Sequence, residues 1–384
     1  MLQLTEIVGQ DAAVGRLQQM LQGSRMPHAF LLAGPAGVGR RTTATALASA
    51  LLCSQPVTEP NAGRLVECDE NFPLLRACGV CDDCRLMAAG SHPDFHPVYK
   101  ELAQYHEDAA IRNRVMQELG IEVIRQFLIA PAGHAPTRGR AKVFLVLEAE
   151  LMSTAAQNSL LKTLEEPPPN VTLILISRRP EQLLPTTRSR CATIRFGQLP
   201  KTFVVEKLLE AGVAKAEAEF WSVFTAGSAG RALNLAQRGM YEVKRELLQH
   251  LGALAAGTGA ELADWAQKTT DALTASAVSE AKKQDGATMA ATLARRQATG
   301  TLLELMASVY RDAIRLQAAA QTPLIHADQS PLVKTLAARF QPTELAEILE
   351  QLSRYEQLLW RNVNPKIIWD NVAITCKSAA PLKL

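Results

Sequence analysis

The residues with the clearest chemical potential are Gly34-Pro-Ala-Gly37-Val-Gly39, followed by Arg40, Arg41 and Thr42. They come directly after the apolar run Ala29–Ala33 and open a helical pattern. A strand, a glycine turn and a helix start let backbone N–H groups converge on a phosphate, and the helix dipole adds to the field. A working nucleotide loop then requires Lys for the phosphates and Ser or Thr for Mg²⁺. Here those positions hold Arg40 and Arg41. A guanidinium is longer and planar, so it does not replace a compact ammonium, and Arg41 cannot ligate a metal. Thr42 has the hydroxyl but comes one residue late, turned by about 100° around the helix. The other half of such a site is an apolar strand ending in Asp-Glu. The run Lys142–Leu147 instead ends Leu147-Glu148, so only the water-activating position survives. Because the metal neutralises charge on the transferring phosphoryl group, hydrolysis by this chain is not expected; ATP binding is left open.

A second constellation is Cys78-x2-Cys81-x2-Cys84, with Cys53 and Cys68 upstream. Three thiolates at this spacing can meet one ion, and a fourth completes a tetrahedron, which suits structural Zn²⁺. A lone CxxC would equally suit redox chemistry. An iron–sulfur run would favour a further Cys-Pro, and none follows. Cys68 is nearer in sequence, while Cys53 ends the helix after the glycine loop, so the spacing leaves the fourth ligand open between them. His92 and His96 are close by, but His92 reads as packing in the turn made by Pro93. Cys191 and Cys376 read as packed thiols.

The elements that must position these residues fall into two regimes. Up to position 196, short apolar runs alternate with helical patterns: Ala29–Ala33, Phe95–Tyr99, Lys142–Leu147, Thr172–Ser177 and Thr193–Phe196. Such runs are buried parallel strands, and the alternation predicts an α/β layered domain. Helices are expected at Arg40–Leu52 and from Thr154, with Gln157 at capping-box spacing, to the stop at Pro167. The stretch 54–77 reads as a loop. After Pro200 only helical spacing remains, broken at Ala211-Gly212 and Ala226–Gly230; 252–300 reads as a helix with loose connections.

The chain has 384 residues, enough for two or three domains, with 47% hydrophobic and 21% charged residues. A net charge of +3 argues against a protein that coats DNA by itself. No run is long enough to span a membrane, and MLQLTEIVGQD has no signal core, so a cytoplasmic protein with thiol or metal-bound cysteines is expected.

The order Ile7-Val-Gly-Gln10, the glycine loop, the cysteine module, His92-Pro-Asp94, Asn158-Ser-Leu-Leu-Lys-Thr-Leu-Glu-Glu-Pro167 and Ser189-Arg-Cys191 resembles the bacterial DNA polymerase III clamp-loader family. The motifs cover about residues 1–240 and the likeness weakens beyond. Arg40, Arg41 and Leu147 match the eroded delta-prime type better than the gamma/tau motors. The resemblance implies an AAA+ P-loop parallel-sheet domain (1–196) with an inserted zinc module (about 53–90), a small helical lid (197–245) and an all-α collar for oligomerisation (246–384). It places the first zinc ligand at the helix end, hence Cys53, with Cys78, Cys81 and Cys84. It makes Ser177 a sensor-like residue and shifts the lid arginine by one position, to Arg231. It implies that Arg190 reaches a neighbouring subunit's nucleotide in trans. The partners would be gamma/tau and delta in a pentameric ring, with sliding clamp and primer-template DNA met through the complex. Two other functions are weighed: a gamma/tau-type ATP-hydrolysing motor, and a zinc-bearing DNA-binding module. The 5% aromatic share and small net charge disfavour the latter.

Overall fold

The computed structural model describes residues 2–23, 26–65, 68–112, 118–138, 140–258, 261–285, 291–320, 323–359 and 363–378. The chain forms two compact units, 1–204 with 226–231, and 205–225 with 232–384.

The first unit is built on a parallel sheet. Its strands are β1 (Ala29–Ala33), β4 (Phe95–Val98), β5 (Lys142–Val146), β6 (Val171–Ser177) and β7 (Ala192–Arg195), in the order β4-β5-β6-β1-β7. β1, β5 and β6 are buried along their whole length, as continuous Val, Ile and Leu runs require when helices cover both faces. Leu31, Phe144, Leu173 and Leu175 pack on one face with Leu160 and Leu164 of the helix Thr154–Glu165. The register Ala33↔Ser177 and Ala33↔Arg195 brings the ends of β1, β6 and β7 to one edge.

The structure corrects the sequence reading in three places. The stretch 54–77 is not a plain loop: β2 (Val57–Pro60) and β3 (Pro73–Arg76) form an antiparallel hairpin. Prolines inside such short runs argue against strands, but here Pro60 and Pro73 face each other at the end that leads into the connecting segment 61–72. Asn61 closes that end, donating to Leu65 O and Cys68 O while accepting from Leu65 N–H. The helix from Thr154 is capped by Ser153, whose Oγ accepts from Ala156 N–H, and Gln157 bonds Met152 O instead of closing a capping box. Within 252–300 the described residues are mostly in two long helices, Leu262–Asp285 of 24 residues and Ala291–Gln317 of 27. The buried seam of the first is Leu262, Ala266, Thr270 and Thr274, spaced by four but too small or polar to register as apolar periodicity.

Among its described residues the second unit has only helices, and the helix Met240–Ala255 runs through position 245. Its polar centre is Lys244, 0% exposed and ion-paired with Asp328. The Lys244 ammonium lies 4.3 Å from the Phe220 ring centroid and 4.6 Å from that of Tyr241, whose hydroxyl donates to Asp328 at 3.0 Å. Beside it His326 bonds Ser308 Oγ at 2.7 Å through its ring and Asp312 through its backbone N–H. Burial and the neighbouring Lys244 charge push the His326 imidazole down to about 3, so it is neutral at physiological pH. Among the described residues no helix is long and apolar enough to cross a membrane.

Removing one partner of a buried ion pair leaves the other uncompensated. Lys244→Ala is therefore expected to lower unfolding stability by roughly 3 kcal/mol in a denaturant titration. Lys244→Met, which keeps the aromatic contacts, should lower it less. Equal losses would show that charge compensation, not packing, governs this site.

Candidate functional site

The glycine loop leaves the end of β1 and is packed from within. Gly34 N–H donates to Ser177 O at 3.2 Å, and Gln10 Nε2 donates to Val38 O and to Gly197 O. Gly37 has φ +71°, and a Cβ placed on it would lie 2.2 Å from Ser228 Oγ and 2.9 Å from the Arg231 nitrogen. Its carbonyl accepts from Gly230 N–H at 3.0 Å. A side chain at 37 is thus excluded by both backbone conformation and space. Arg40 opens the following helix and is 7% exposed. Its Nε and Nη1 find no hydrogen-bond partner among the described residues. Burial depresses the Arg40 guanidinium, with Glu150 opposing and Arg178 reinforcing the effect. Arg41 and Thr42 are exposed, and it is Thr43 that turns its hydroxyl back to Gly39 O.

Across the sheet edge, Glu148 and Glu150 follow β5. Arg178 Nη2 pairs with Glu148 Oε1 at 2.9 Å and its Nε with Glu150 Oε1 at 3.2 Å, while Lys100 Nζ lies 4.0 Å from Glu148 Oε2. Leu147 is half-buried and offers no metal ligand. Ser177 is buried, and its Oγ accepts from Arg179 N–H. The edge therefore holds Arg40, Arg178 and Lys100 with Glu148 and Glu150, three cations against two anions. The sequence reading passed over Glu150 and Arg178. The spacing Glu148-Ala-Glu150 and an arginine directly after Ser177 were the available signals.

The Sγ atoms of Cys53, Cys78, Cys81 and Cys84 lie within 4.8 Å of one another. Cys53 and Cys81 are 3.7 Å apart, and Cys78 and Cys84 3.9 Å. Four sulfurs about 2.3 Å from one tetrahedral ion would be about 3.8 Å apart, so the thiols fit a divalent metal. Backbone N–H groups of Cys78, Gly79 and Cys81 point at sulfurs of the group. Burial pushes the Cys53 and Cys84 thiols up. At Cys81 burial is outweighed by hydrogen bonds involving Ser54 and Cys84, which bring it down to about 5. Cys68 is not in the group; its thiol faces Gly15 O at 3.8 Å. Neither histidine joins it. His92 Nδ1 accepts from Asp94 N–H, and His96 stacks on Phe144 with centroids 4.8 Å apart. Behind Cys84, Asp83 is ion-paired with Arg138, whose backbone N–H donates to Asp94 at 2.8 Å. That chain of contacts fixes the cysteine helix Asp82–Ala88 to the start of β4.

Arg190 stands between the short helix Pro185–Arg188 and β7. Its Nη1 donates to Thr186 O at 2.9 Å, and Nη2 is ion-paired with Glu165 at the end of the Leu164-Glu-Glu-Pro167 helix. Arg188 is half-buried, and its Nε has no partner among the described residues. Arg231 is half-buried beside the glycine loop, its N–H on Ser228 Oγ.

Residues 9–200 match the sequence profile of "DNA polymerase III, delta subunit", and residues 264–376 that of its C-terminal part. The delta' subunit of Escherichia coli K12 is 32% identical over 237 residues, 62% of this chain and 62% of that protein. The E. coli tau subunit is 34% identical over 186 residues, 48% of this chain but 24% of tau. A gamma subunit-related protein of Thermotoga maritima aligns over 96% of this chain and 99% of its own, with a TM-score of 0.39 and 14% identity.

Purified under reducing conditions, the protein should carry one metal ion per chain, by elemental analysis. Cys53→Ser, Cys78→Ser, Cys81→Ser and Cys84→Ser should each deplete it, and Cys68→Ser should not. Loss of metal in Cys68→Ser with retention in Cys53→Ser would reverse the assignment of the fourth ligand. Circular dichroism should show the parallel-sheet domain still folded in all five variants.

Proposed function

The chain belongs to the bacterial DNA polymerase III delta-subunit family, of the delta-prime clamp-loader type, and on that premise we propose that it is a stator of the sliding-clamp loader. In this reading it joins gamma/tau and delta in a pentameric ring through its helical collar (246–384), with 197–245 acting as the lid. Clamp and primer-template DNA are met by the assembled ring. Its own nucleotide edge does no chemistry, and Arg190 acts on the ATP of the adjacent subunit. The bound metal is Zn²⁺, and its role is structural.

The observation that carries this reading is the edge around the glycine loop. Arg40 and Arg41 stand where lysine and a metal-binding hydroxyl are needed, and Leu147 stands at the metal-binding carboxylate. Glu148, the one catalytic-type group left, is engaged by Arg178. Phosphoryl transfer depends on metal-assisted neutralisation of charge, so this edge lacks its main catalytic element. An arginine on a loop at the end of the sheet is the group best placed to act elsewhere. A planar guanidinium can hold two oxygens of a γ-phosphate and stabilise the charge that develops on it. To do so Arg190 exchanges the Glu165 carboxylate for the phosphate. The rival reading, a gamma/tau-type motor, would need the two metal contacts this chain lacks.

The isolated chain with Mg²⁺ should hydrolyse ATP only at background. Turnover at a motor-like rate that disappears in Glu148→Gln would establish the rival reading. In a ring reconstituted with wild-type motor subunits, at saturating concentrations, Arg190→Ala should slow DNA- and clamp-stimulated ATPase and clamp loading. The loss should fall short of the ~10³–10⁵-fold of a sole arginine finger, because the other ring sites have their own. Arg188→Ala is the comparison. Normal loading by Arg190→Ala would end the in-trans assignment. Metal analysis giving iron would end the zinc assignment.

A further inference from the structure

A second basic feature lies beside Arg190, on the same face of the sheet as Leu31 and Leu173. β7 is the last strand of the sheet, and none of its residues belongs to the apolar cluster on this face. Leu31 and Ala33 of β1 pair with Thr193 and Arg195 of β7, so these four residues share one face. Between the helix Asp11–Gln22 and the segment 178–189 they floor an open cleft of about 1540 Å³. Arg16, Arg178, Arg188 and Arg195 line it, and Glu181 is its one acidic side chain among the described residues. Arg178 is occupied by Glu148 and Glu150. Arg16, Arg188 and Arg195 make no side-chain hydrogen bond or ion pair with the described residues. The whole chain is only +3, so three unpaired guanidiniums in one cleft are a local concentration of charge.

We propose that this cleft docks an acidic loop or helix end of the neighbouring ring subunit, the one whose nucleotide Arg190 contacts. The inference rests on the stator reading for the identity of that neighbour. Arginine forks match carboxylates bidentately, which suits unpaired guanidiniums to Asp and Glu side chains. Ser189 lines the cleft and is adjacent in sequence to Arg190. A chain that brings its nucleotide to Arg190 therefore lies against the cleft. Nucleic acid fits less well. Single strands are held by bases stacked on aromatic rings, and Phe196, the one aromatic residue lining the cleft among the described residues, is 4% exposed. A duplex offers a broad convex surface, which does not enter a cleft walled by a helix on one side and a loop on the other.

Arg16 and Arg195 are exposed, so their reversal should not disturb folding. The full-length Arg16→Glu/Arg195→Glu variant, with its melting curve checked, is titrated against the gamma/tau-type subunit of the same cell by sedimentation velocity, at low and high salt. Association should weaken by at least roughly 10-fold at low salt, and its salt dependence should flatten. Unchanged association and unchanged salt dependence would overturn the docking proposal, whatever Arg190→Ala does to ATP turnover. Weakened association together with normal turnover in Arg190→Ala would keep the docking surface and remove the arginine finger. Fluorescence anisotropy with a labelled primer-template tests the other occupant. If the reversal abolishes DNA binding and leaves subunit association intact, the cleft is a nucleic-acid site and the proposal is wrong.

Discussion

The space around Gly37 governs how the first unit is assembled. No side chain can stand there, because Ser228 Oγ already occupies the position a Cβ would approach. On the other side of the loop a Cβ at Gly34 would lie 2.5 Å from Phe196 O. The loop is thus held between the end of β7 and the turn Gly227–Arg231. This explains why residues 226–231 belong with the first unit although the chain on either side of them belongs to the second. The glycines of a phosphate loop ordinarily let backbone approach a ligand. Here the same lack of side chains lets backbone approach backbone. Gln10 adds to it, bonding Val38 and Gly197 at once. A loop of this composition is accounted for by packing alone, without a nucleotide.

Charge is treated differently in three places. At the sheet edge it is nearly closed on itself: Arg178 bridges Glu148 and Glu150, and Arg40 is buried close enough to Glu150 for the carboxylate to raise its pKa. A divalent cation entering there would compete with two guanidiniums already in place. In the second unit Lys244 is closed more tightly still, by Asp328 and two aromatic faces. In the cleft beside β7 charge is left open. Buried ionic groups need partners because desolvation is expensive, whereas exposed ones remain hydrated at little penalty. Charge left unpaired in one exposed cleft is the kind that steers association.

The sheet was legible because its strands are short, continuous and apolar; Ala29–Ala33 and the helix Arg40–Leu52 coincide with their elements residue for residue. The hairpin at 57–76 was not, because its prolines mimic a loop and its pairing depends on Asn61, a single polar side chain. The helix Leu262–Asp285 was hidden because its seam is Ala and Thr. The cysteine group could be read from spacing up to its fourth member. Spacing alone did not choose between Cys53 and Cys68; the family resemblance pointed to Cys53, and the physical reason, that the hairpin carries Cys68 toward Gly15, is a tertiary fact with no local signature. The pairing of Arg178 with both glutamates has none either: the partners are separated by 28 and 30 residues and meet only when β5 and β6 lie side by side.

For the in-trans role proposed for Arg190, its ion pair with Glu165 sets the conditions. Side-chain exposures of 33% for Arg190 and 48% for Glu165 place the pair at the surface, where water screens it. Such pairs are worth about 0–1 kcal/mol, so releasing the guanidinium from Glu165 is a small step. A γ-phosphate in a drier interface between subunits carries more charge than a carboxylate and accepts charge-assisted hydrogen bonds at several oxygens. In the proposed role the exchange would run toward the phosphate when one is present and back to Glu165 when it is not. Until then the pair, with Thr186 O, holds the side chain near one position and lowers the entropy lost on engagement. In the proposed role, local pairing and action on a neighbour would be successive states of one side chain, with Glu165 as its resting partner.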